Sequence, residues 1–386
     1  MPETGRRRFL KTLTTTAVAG GALAVGASAA ACAAPENSPA VPDASGYRTK
    51  LVLLGTAGGP LLLDGARAGI STAVVYEDRT YIVDLGMGSL HRLTASGLGH
   101  TGAPASALTR VRGVLFTHLH SDHFLDWPAL YSVGSMNSTG NDGARVKVFG
   151  PGDRGTLPRV YPPNRQAPPV YYPEDPTPGI TGMTGHLRRA FAQDFNDRAR
   201  DGNMPDPERI FDIRDIDLAG VWDVDPQGIP PRLSEPLHIW EDDAVRITAT
   251  LVDHHPIAPA FAYRFDTPDG SVVISGDTTV SENLIDLAQG CDYLVHEVID
   301  PQFVEETVTA LPDEIAGPAR EHLLGAHTTI EQVGRDVAEP AGAKNLVLTH
   351  LAPANNPESR WQAAQQGYSG RLIVGQDLMQ LGVGTG

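Results

Sequence analysis

The sequence predicts an α/β fold of two sheets with helices on their outer sides. Three observations predict it. Short β-rich runs recur along the chain, helical stretches lie between several of them, and many runs end in a polar or histidine-bearing turn. Active groups in α/β folds gather at the carboxyl ends of strands, so the third observation also points to function.

The elements follow in order. Residues 51–54, 72–76 and 81–83 are apolar runs separated by Gly and charged turn residues, which reads as the opening of a sheet. Residues 114–117 and 146–149 are two more such runs. After a long irregular region come 245–252, 260–265, 272–275, 293–296 and 346–349. Helical stretches are expected over 122–131, 281–289, 329–339 and 357–366. The irregular region holds eight prolines between residues 155 and 180, followed by an amphipathic stretch over 182–200 with Leu187, Ala190, Phe191 and Phe195 on one side. Residues 151–240 therefore read as a Pro-rich insertion that shapes a site. They are too poor in strands to own a separate core.

Composition narrows the function. The chain has 386 residues, 41% of them hydrophobic, which is enough for a sizeable core. The formal charge is −16, from 30 Lys+Arg against 46 Asp+Glu. That argues against a nucleic-acid binder, whose affinity depends on neutralising phosphates. Only Cys32 and Cys291 are present, so neither a disulfide framework nor a cysteine-based zinc site is expected. A metal would have to be held by some of the 13 histidines together with carboxylates.

The first residues read as an address. Arg6-Arg7-Arg8-Phe9-Leu10-Lys11 precedes a mild Ala/Gly/Thr/Val/Leu stretch ending near Ala31, the pattern of an export signal over 1–31. The arginine pair followed by Phe-Leu-Lys resembles the twin-arginine type. Ala29-Ala30-Ala31-Cys32 fits either lipoprotein processing, with Cys32 as a lipid anchor, or simple cleavage after small residues. The expected destination is the cell envelope or the exterior. Cleavage removes four positive charges and one negative, taking −16 to −19. Residues 32–48 are Pro/Ser/Ala-rich with no apolar period and read as a disordered tether, leaving 49–386 as the folded domain.

The informative segment is His118-Leu119-His120-Ser121-Asp122-His123, directly after an apolar run. His118 and His120 are two apart in extended chain, so both imidazoles point to one side. Asp122 and His123 fall where a helix starts. Three histidines and a carboxylate so close together are costly to bury without a shared purpose. Neutral imidazole and carboxylate suit Zn²⁺, Mn²⁺ or Fe.

This H-x-H-x-D-H run resembles the metallo-β-lactamase superfamily. Further segments resemble its ribonuclease Z and arylsulfatase branch, in the same order. They are Leu54-Gly55-Thr56-Ala57-Gly58-Gly59-Pro60, Tyr81 to Gly86 ending in Asp84-Leu85-Gly86, Ser275-Gly276-Asp277-Thr278, Leu294-Val295-His296-Glu297, Ala326-His327-Thr328-Thr329 and Leu348-Thr349-His350-Leu351. The resemblance covers about residues 50–375. It implies a four-layer αββα sandwich and two divalent metal ions, with Zn²⁺ the foremost candidate. His118, His120 and one of His254-His255, with alignment favouring His254, would hold the first ion. Asp122, His123 and His350 would hold the second, and Asp277 would bridge both.

Two metals about 3.5–4 Å apart would activate a shared water and polarise the bond under attack, so no serine or cysteine nucleophile is required. His327 is the candidate acid for the leaving group, with Glu297 or His296 orienting it; Asp122 also stands in the catalytic set. Asp84 is expected either to organise the loop below the ligands or to serve as a plain turn residue. His91, His100, His186, His238 and His322 have no partner pattern and read as surface or cap residues.

The resemblance leaves several substrates open. Ribonuclease Z cuts tRNA precursors and grips them with a basic insertion. Here residues 153–235 carry ten Arg, no Lys and fourteen Asp/Glu, a net −4. Charge of that sign repels a polyanion. The expectation is therefore arylsulfatase-like hydrolysis of a small sulfate or phosphate ester. A ribonuclease Z-like phosphodiesterase and a lactone or organophosphate hydrolase are the enzyme alternatives, and an extracytoplasmic metal-binding protein is the non-enzyme one. The expected partner is a small-molecule ester rather than nucleic acid, and a homodimer is compatible with the sequence.

Overall fold

The computed structural model describes residues 44–59, 65–140 and 143–385. The export signal, Cys32 and the tether up to residue 43 lie outside the described residues, as does Pro60. The first sheet takes β1 (Thr49–Gly55), β2 (Ser71–Tyr76), β3 (Arg79–Val83), β4 (Val111–Leu115), β5 (Val146–Pro151) and β6 (Phe211–Ile216) in consecutive order. The second takes β7 (Leu237–Glu241), β8 (Arg246–Leu251), β9 (Phe261–Thr267), β10 (Gly270–Ile274), β11 (Tyr293–Ile299), β12 (Asn345–Ala352) and β13 (Arg371–Val374). The last strand, β14 (Gln380–Val383), returns to pair antiparallel with β1. Both sheets are mixed. Pairing is antiparallel over β1-β2-β3 and β7-β8-β9-β10, and parallel over β3-β4-β5-β6 and β10-β11-β12-β13.

Strand periodicity builds the layers. In β1, Leu51 and Leu53 enter the core between the sheets, beside Tyr263, Val272, Val295 and Val347. Val52 and Leu54 point the other way, into a cluster with Trp127, Leu130 and Tyr131. A strand buried on both faces reads as a continuous apolar run, and β1 does. On the outer face of the second sheet, Leu284, Leu287, Val333 and Trp361 cover Val273, Leu294 and Leu346. The order is helix, sheet, sheet, helix, the αββα arrangement that the resemblance implies.

Several helices are shorter than their sequence pattern. The 122–131 stretch divides into α2 (Ser121–Phe124) and α3 (Trp127–Val133), which follow α1 (Ser89–Ser96). Asp126 lies between them, and its carboxylate accepts from the Leu90 N–H at 2.8 Å, in place of a single continuous helix. The 182–200 stretch divides at Phe191 into α4 (Ile180–Ala190) and α5 (Ala192–Gly202). The 281–289 stretch is α6 (Glu282–Leu287), capped by the Ser281 side chain. Beyond the expected elements, β11 is followed by a helical hairpin, α7 (Pro301–Thr309) and α8 (Asp313–Gly325). Its amphipathic faces are narrow, and Pro318 inside α8 hides the pattern. The 151–240 stretch supplies an edge strand to each sheet, β6 beside β5 and β7 beside β8. Among the described residues no helix is long and apolar enough to cross a membrane.

Candidate metal centre

The candidate residues converge at the strand ends. Asp84 follows β3, His118 and His120 follow β4, and Asp122 and His123 open α2. His254 follows β8, Asp277 follows β10, and His350 sits in a kink of β12, where Glu297–Val298 of β11 shift register. His350 has φ +44° and Asp84 φ +60°, left-handed values that ordinary residues adopt at a cost. In β12 that turn takes the imidazole off the strand's regular alternation.

Two glycines let neighbouring loops approach this closely. A Cβ on Gly58 would lie 2.5 Å from the His350 carbonyl oxygen. Gly276 has φ +61°, and a Cβ there would lie 2.8 Å from the Thr117 Cβ. Both positions admit only a hydrogen in place of a side chain.

Two clusters share one carboxylate. His118, His120, His254 and Asp277 form the first; Asp122, His123, Asp277 and His350 form the second. Within each, one ligand atom per residue lies within 4.8 Å of the others. Asp277 Oδ2 is 3.9 Å from His118 Nε2, 4.0 Å from His254 Nε2 and 3.3 Å from His123 Nε2, and its Oδ1 is 3.3 Å from His350 Nε2. His350 Nε2 is also 3.3 Å from Asp122 Oδ2. Asp277 therefore stands where a bridging ligand would.

The donor atoms fit cations. Among the described residues, His118 Nε2, His123 Nε2 and Asp277 Oδ1 are buried without a hydrogen-bond partner. An orphaned buried polar atom costs free energy, and three aimed at one place require an explanation that a metal ion supplies. Burial first, and neighbouring imidazoles second, hold His118 well below the ordinary histidine value. Burial and His327 do the same for His254. Both are thus neutral, the form that ligates. Burial works against a charged His123, yet Asp277, Asp84 and Asp122 together push it well above the ordinary value. The proton those carboxylates draw in is charge that a cation would replace. Burial opposes ionisation of Asp277 too, but His350 and His123 hold it well below the usual carboxylate range.

Side chains behind the ligands fix their orientation. Asp84 accepts from the Thr117 N–H and Oγ1–H at 2.8 Å each and from His123 Nδ1 at 2.8 Å. His254 Nδ1 donates to the Ala326 carbonyl at 2.8 Å. His255 instead bonds Asp253 at 2.8 Å and is partly exposed, so the structure brings His254 into the cluster and leaves His255 beside it. Glu297 Oε1 receives three donors: His327 Nδ1 at 3.0 Å and the Thr278 and Thr328 N–H groups at 3.1 Å. Burial lowers His327, but Glu297 more than reverses it, and the imidazole is raised to about 9. His296 is not brought to the clusters; its Nδ1 donates to the Glu297 carbonyl at 2.6 Å.

A cavity of about 400 Å³ opens on the clusters. His120, Asp122, Asp277, His327 and His350 line its floor. Phe303 and Thr307 from α7 and His322 and Leu323 from α8 line its side. The sequence reading missed His322: it lies in a helix that the apolar pattern does not reveal. Burial, with His327 next, pushes it down to about 4. His186 stays outside the site, paired with Asp175 at 2.7 Å on the surface.

Comparison with known proteins points the same way. The family model described as "Metallo-beta-lactamase superfamily" matches residues 64–327. The chain is similar to a protein named "Ribonuclease Z" from Mycobacterium bovis (strain BCG / Pasteur 1173P2), with 29% identity over 338 residues, 86% of this chain and 98% of that one. It is 30% identical to a "Ribonuclease Z" from Mycolicibacterium gilvum (strain PYR-GCK), over 87% of this chain and 97% of the relative. Among solved structures, the short form of human tRNase Z matches with TM-score 0.52 at 17% identity, over 87% of this chain and 100% of that one. At that identity the likeness concerns the fold.

Proposed function

The chain belongs to the metallo-beta-lactamase superfamily, as a ribonuclease Z-like metal-dependent hydrolase, and on that premise we propose that it cleaves phosphodiester bonds. The observation that carries this reading is Asp277, shared by two His/Asp clusters beneath one cavity. The ribonuclease Z relatives, matched over nearly their whole length, support a phosphodiester over the sulfate or other small ester that the sequence favours.

His118, His120, His254 and Asp277 would hold one ion, and Asp122, His123, His350 and Asp277 the other. The nitrogen-rich donor set suits Zn²⁺ best, with Mn²⁺ or Fe as alternatives. When bound, such ions supply an activated water and polarise the phosphoryl oxygens. Hydrolysis adds hydroxide to phosphorus, breaks one P–O bond and delivers a proton to the departing oxygen. In this reading His327 would deliver it. Its Nδ1 is tied to Glu297, which leaves Nε2 as the atom that holds and gives the proton. Glu297, itself fixed by two backbone N–H groups, keeps the ring in that orientation. Asp84 keeps His123 in place from behind.

A second reading rests on a different observation. The insertion carries net charge −4 and no Lys, which disfavours a long polyanion and favours a small ester of the same chemistry. The twin-arginine-like leader, which would place the protein outside the cytoplasm, supports the same side. Metal-analysed mature protein should be offered precursor tRNA beside aryl phosphodiester, aryl sulfate and lactone substrates, with and without chelator. Chelator-sensitive turnover of aryl sulfate with none of any phosphodiester would sink the phosphodiesterase reading. Efficient tRNA cleavage would sink the small-ester one.

A further inference from the structure

Resting on the phosphodiesterase reading, we propose that the α7–α8 hairpin builds a binding subsite for one planar ring of the substrate, with Phe303 as its apolar wall and His322 as its hydrogen-bonding edge. The ring is one with a polar edge, such as a nucleobase.

The hairpin has two faces. Val304 and Val308 of α7 join Ile299 and Ala352 in a small core, with Leu323 and Leu324 of α8 packed against it. Phe303 and Thr307, four residues apart and so on one face of α7, line the cavity instead. Phe303 is half-buried, yet among the described residues it belongs to no hydrophobic cluster and faces no other aromatic ring. Such a side chain spends apolar surface on the cavity rather than on folding.

His322 completes the chemistry. Its ring lies 6.0 Å from that of His254 and 6.2 Å from that of His327, centroid to centroid, so it borders the reacting centre. Its imidazole has no hydrogen-bond or ion-pair partner among the described residues. Ile299, Leu323 and Pro353 add aliphatic walls. Small-ligand sites combine about 300–1,000 Å³ of mostly apolar lining with a few placed polar groups, and this one has about 400 Å³. A flat ring gains most from an aromatic wall, about two- to tenfold in affinity. A ring with a polar edge also satisfies the idle imidazole, which an alkyl group cannot do.

The test is calorimetric titration of the metal-loaded mature protein with methylphosphonate, phenylphosphonate and thymidine 5′-monophosphate. The two ring-bearing ligands should bind about tenfold tighter than methylphosphonate, and Phe303→Ala should shrink that gap to about twofold. Should Phe303→Ala fail to fold, Phe303→Leu makes the same comparison. His322→Phe should weaken thymidine monophosphate and spare phenylphosphonate, whose ring has no polar edge; equal effects on both ring ligands overturn the hydrogen-bonding role of His322. No ring preference in the wild type, or a preference untouched by Phe303 substitution, overturns the subsite. Hydrolysis of bis(p-nitrophenyl) phosphate and thymidine 5′-p-nitrophenyl phosphate, run in parallel, separates the two ideas. Ring binding without turnover of either ester overturns the phosphodiesterase reading and leaves the subsite standing; turnover without ring preference does the reverse.

Discussion

His123 Nδ1 and Asp84 Oδ2 lie 2.8 Å apart in the buried floor of the site, and this bond aims His123 Nε2 at Asp277. The same carboxylate ties down the Thr117 N–H and hydroxyl just before His118, so one side chain positions groups belonging to both clusters. Asp84→Ala should weaken metal binding by about 10- to 100-fold while leaving every ligand in the sequence. Chelator-competition titration reads this directly. Wild-type affinity in the variant would reduce Asp84 to a turn residue.

Asp277 belongs to both clusters, whereas His120 belongs to one. The two substitutions should therefore differ in kind. His120→Ala should lower metal content toward one ion per chain. Asp277→Ala should deplete both sites and abolish turnover, and it leaves His123 and His350 without their closest shared carboxylate. Metal analysis of the purified variants checks the count. Full metal content in Asp277→Ala would remove the bridging role.

The role of His327 predicts a dependence on the leaving group. His327→Gln should cut kcat by about 10²- to 10⁴-fold for a substrate whose leaving oxygen needs a proton, such as a nucleoside ester. With p-nitrophenolate as leaving group the loss should be much smaller, because that oxygen departs unprotonated. Metal content should hold, since His327 is in neither of the two four-residue clusters. An equal loss on both substrates would make His327 a structural residue. Glu297→Gln should mimic the pattern more weakly, acting through the 3.0 Å bond that orients the imidazole.

How much of this was legible in the sequence depends on spacing. The H-x-H-x-D-H run is local, so both halves of the site could be read from one segment. Asp277 and His350 are remote, and only the ordered resemblance brought them in. For the His254-His255 pair the resemblance favours His254 but gives no physical reason, because burial supplies it: one side chain enters the cluster and the other faces Asp253 near solvent. His322 and the α7–α8 hairpin stayed hidden for a different reason. A cavity-lining helix turns apolar residues such as Phe303 away from the core, which blurs the amphipathic stripe that sequence reading relies on. Strands β13 and β14 were missed because they are only four residues each.

Asp300 joins the hairpin to the domain, and it predicts a pH dependence of stability. Its carboxylate caps α7 by accepting from the Gln302 N–H at 3.0 Å, and it takes Arg360 at 2.7 and 2.9 Å and Asn356 at 2.7 Å. Burial alone would raise its pKa, but the Arg360 guanidinium and the cap hold it below the ordinary value. The stabilisation is thus fully present above the unfolded-chain value, about 3.9, and is lost as pH falls through the lower folded-state value. Asp300→Asn should cost about 1–3 kcal/mol near neutral pH and much less at acid pH, where the wild-type carboxylate is itself protonated. Thermal melts of both proteins between pH 7 and 3 measure the convergence. Because Asp300 anchors the first turn of the helix that carries Phe303, the variant should also raise KM for ring-bearing substrates with little change in kcat. Parallel melting curves at every pH, with KM unchanged, would show that the cap neither titrates with folding nor holds the cavity wall.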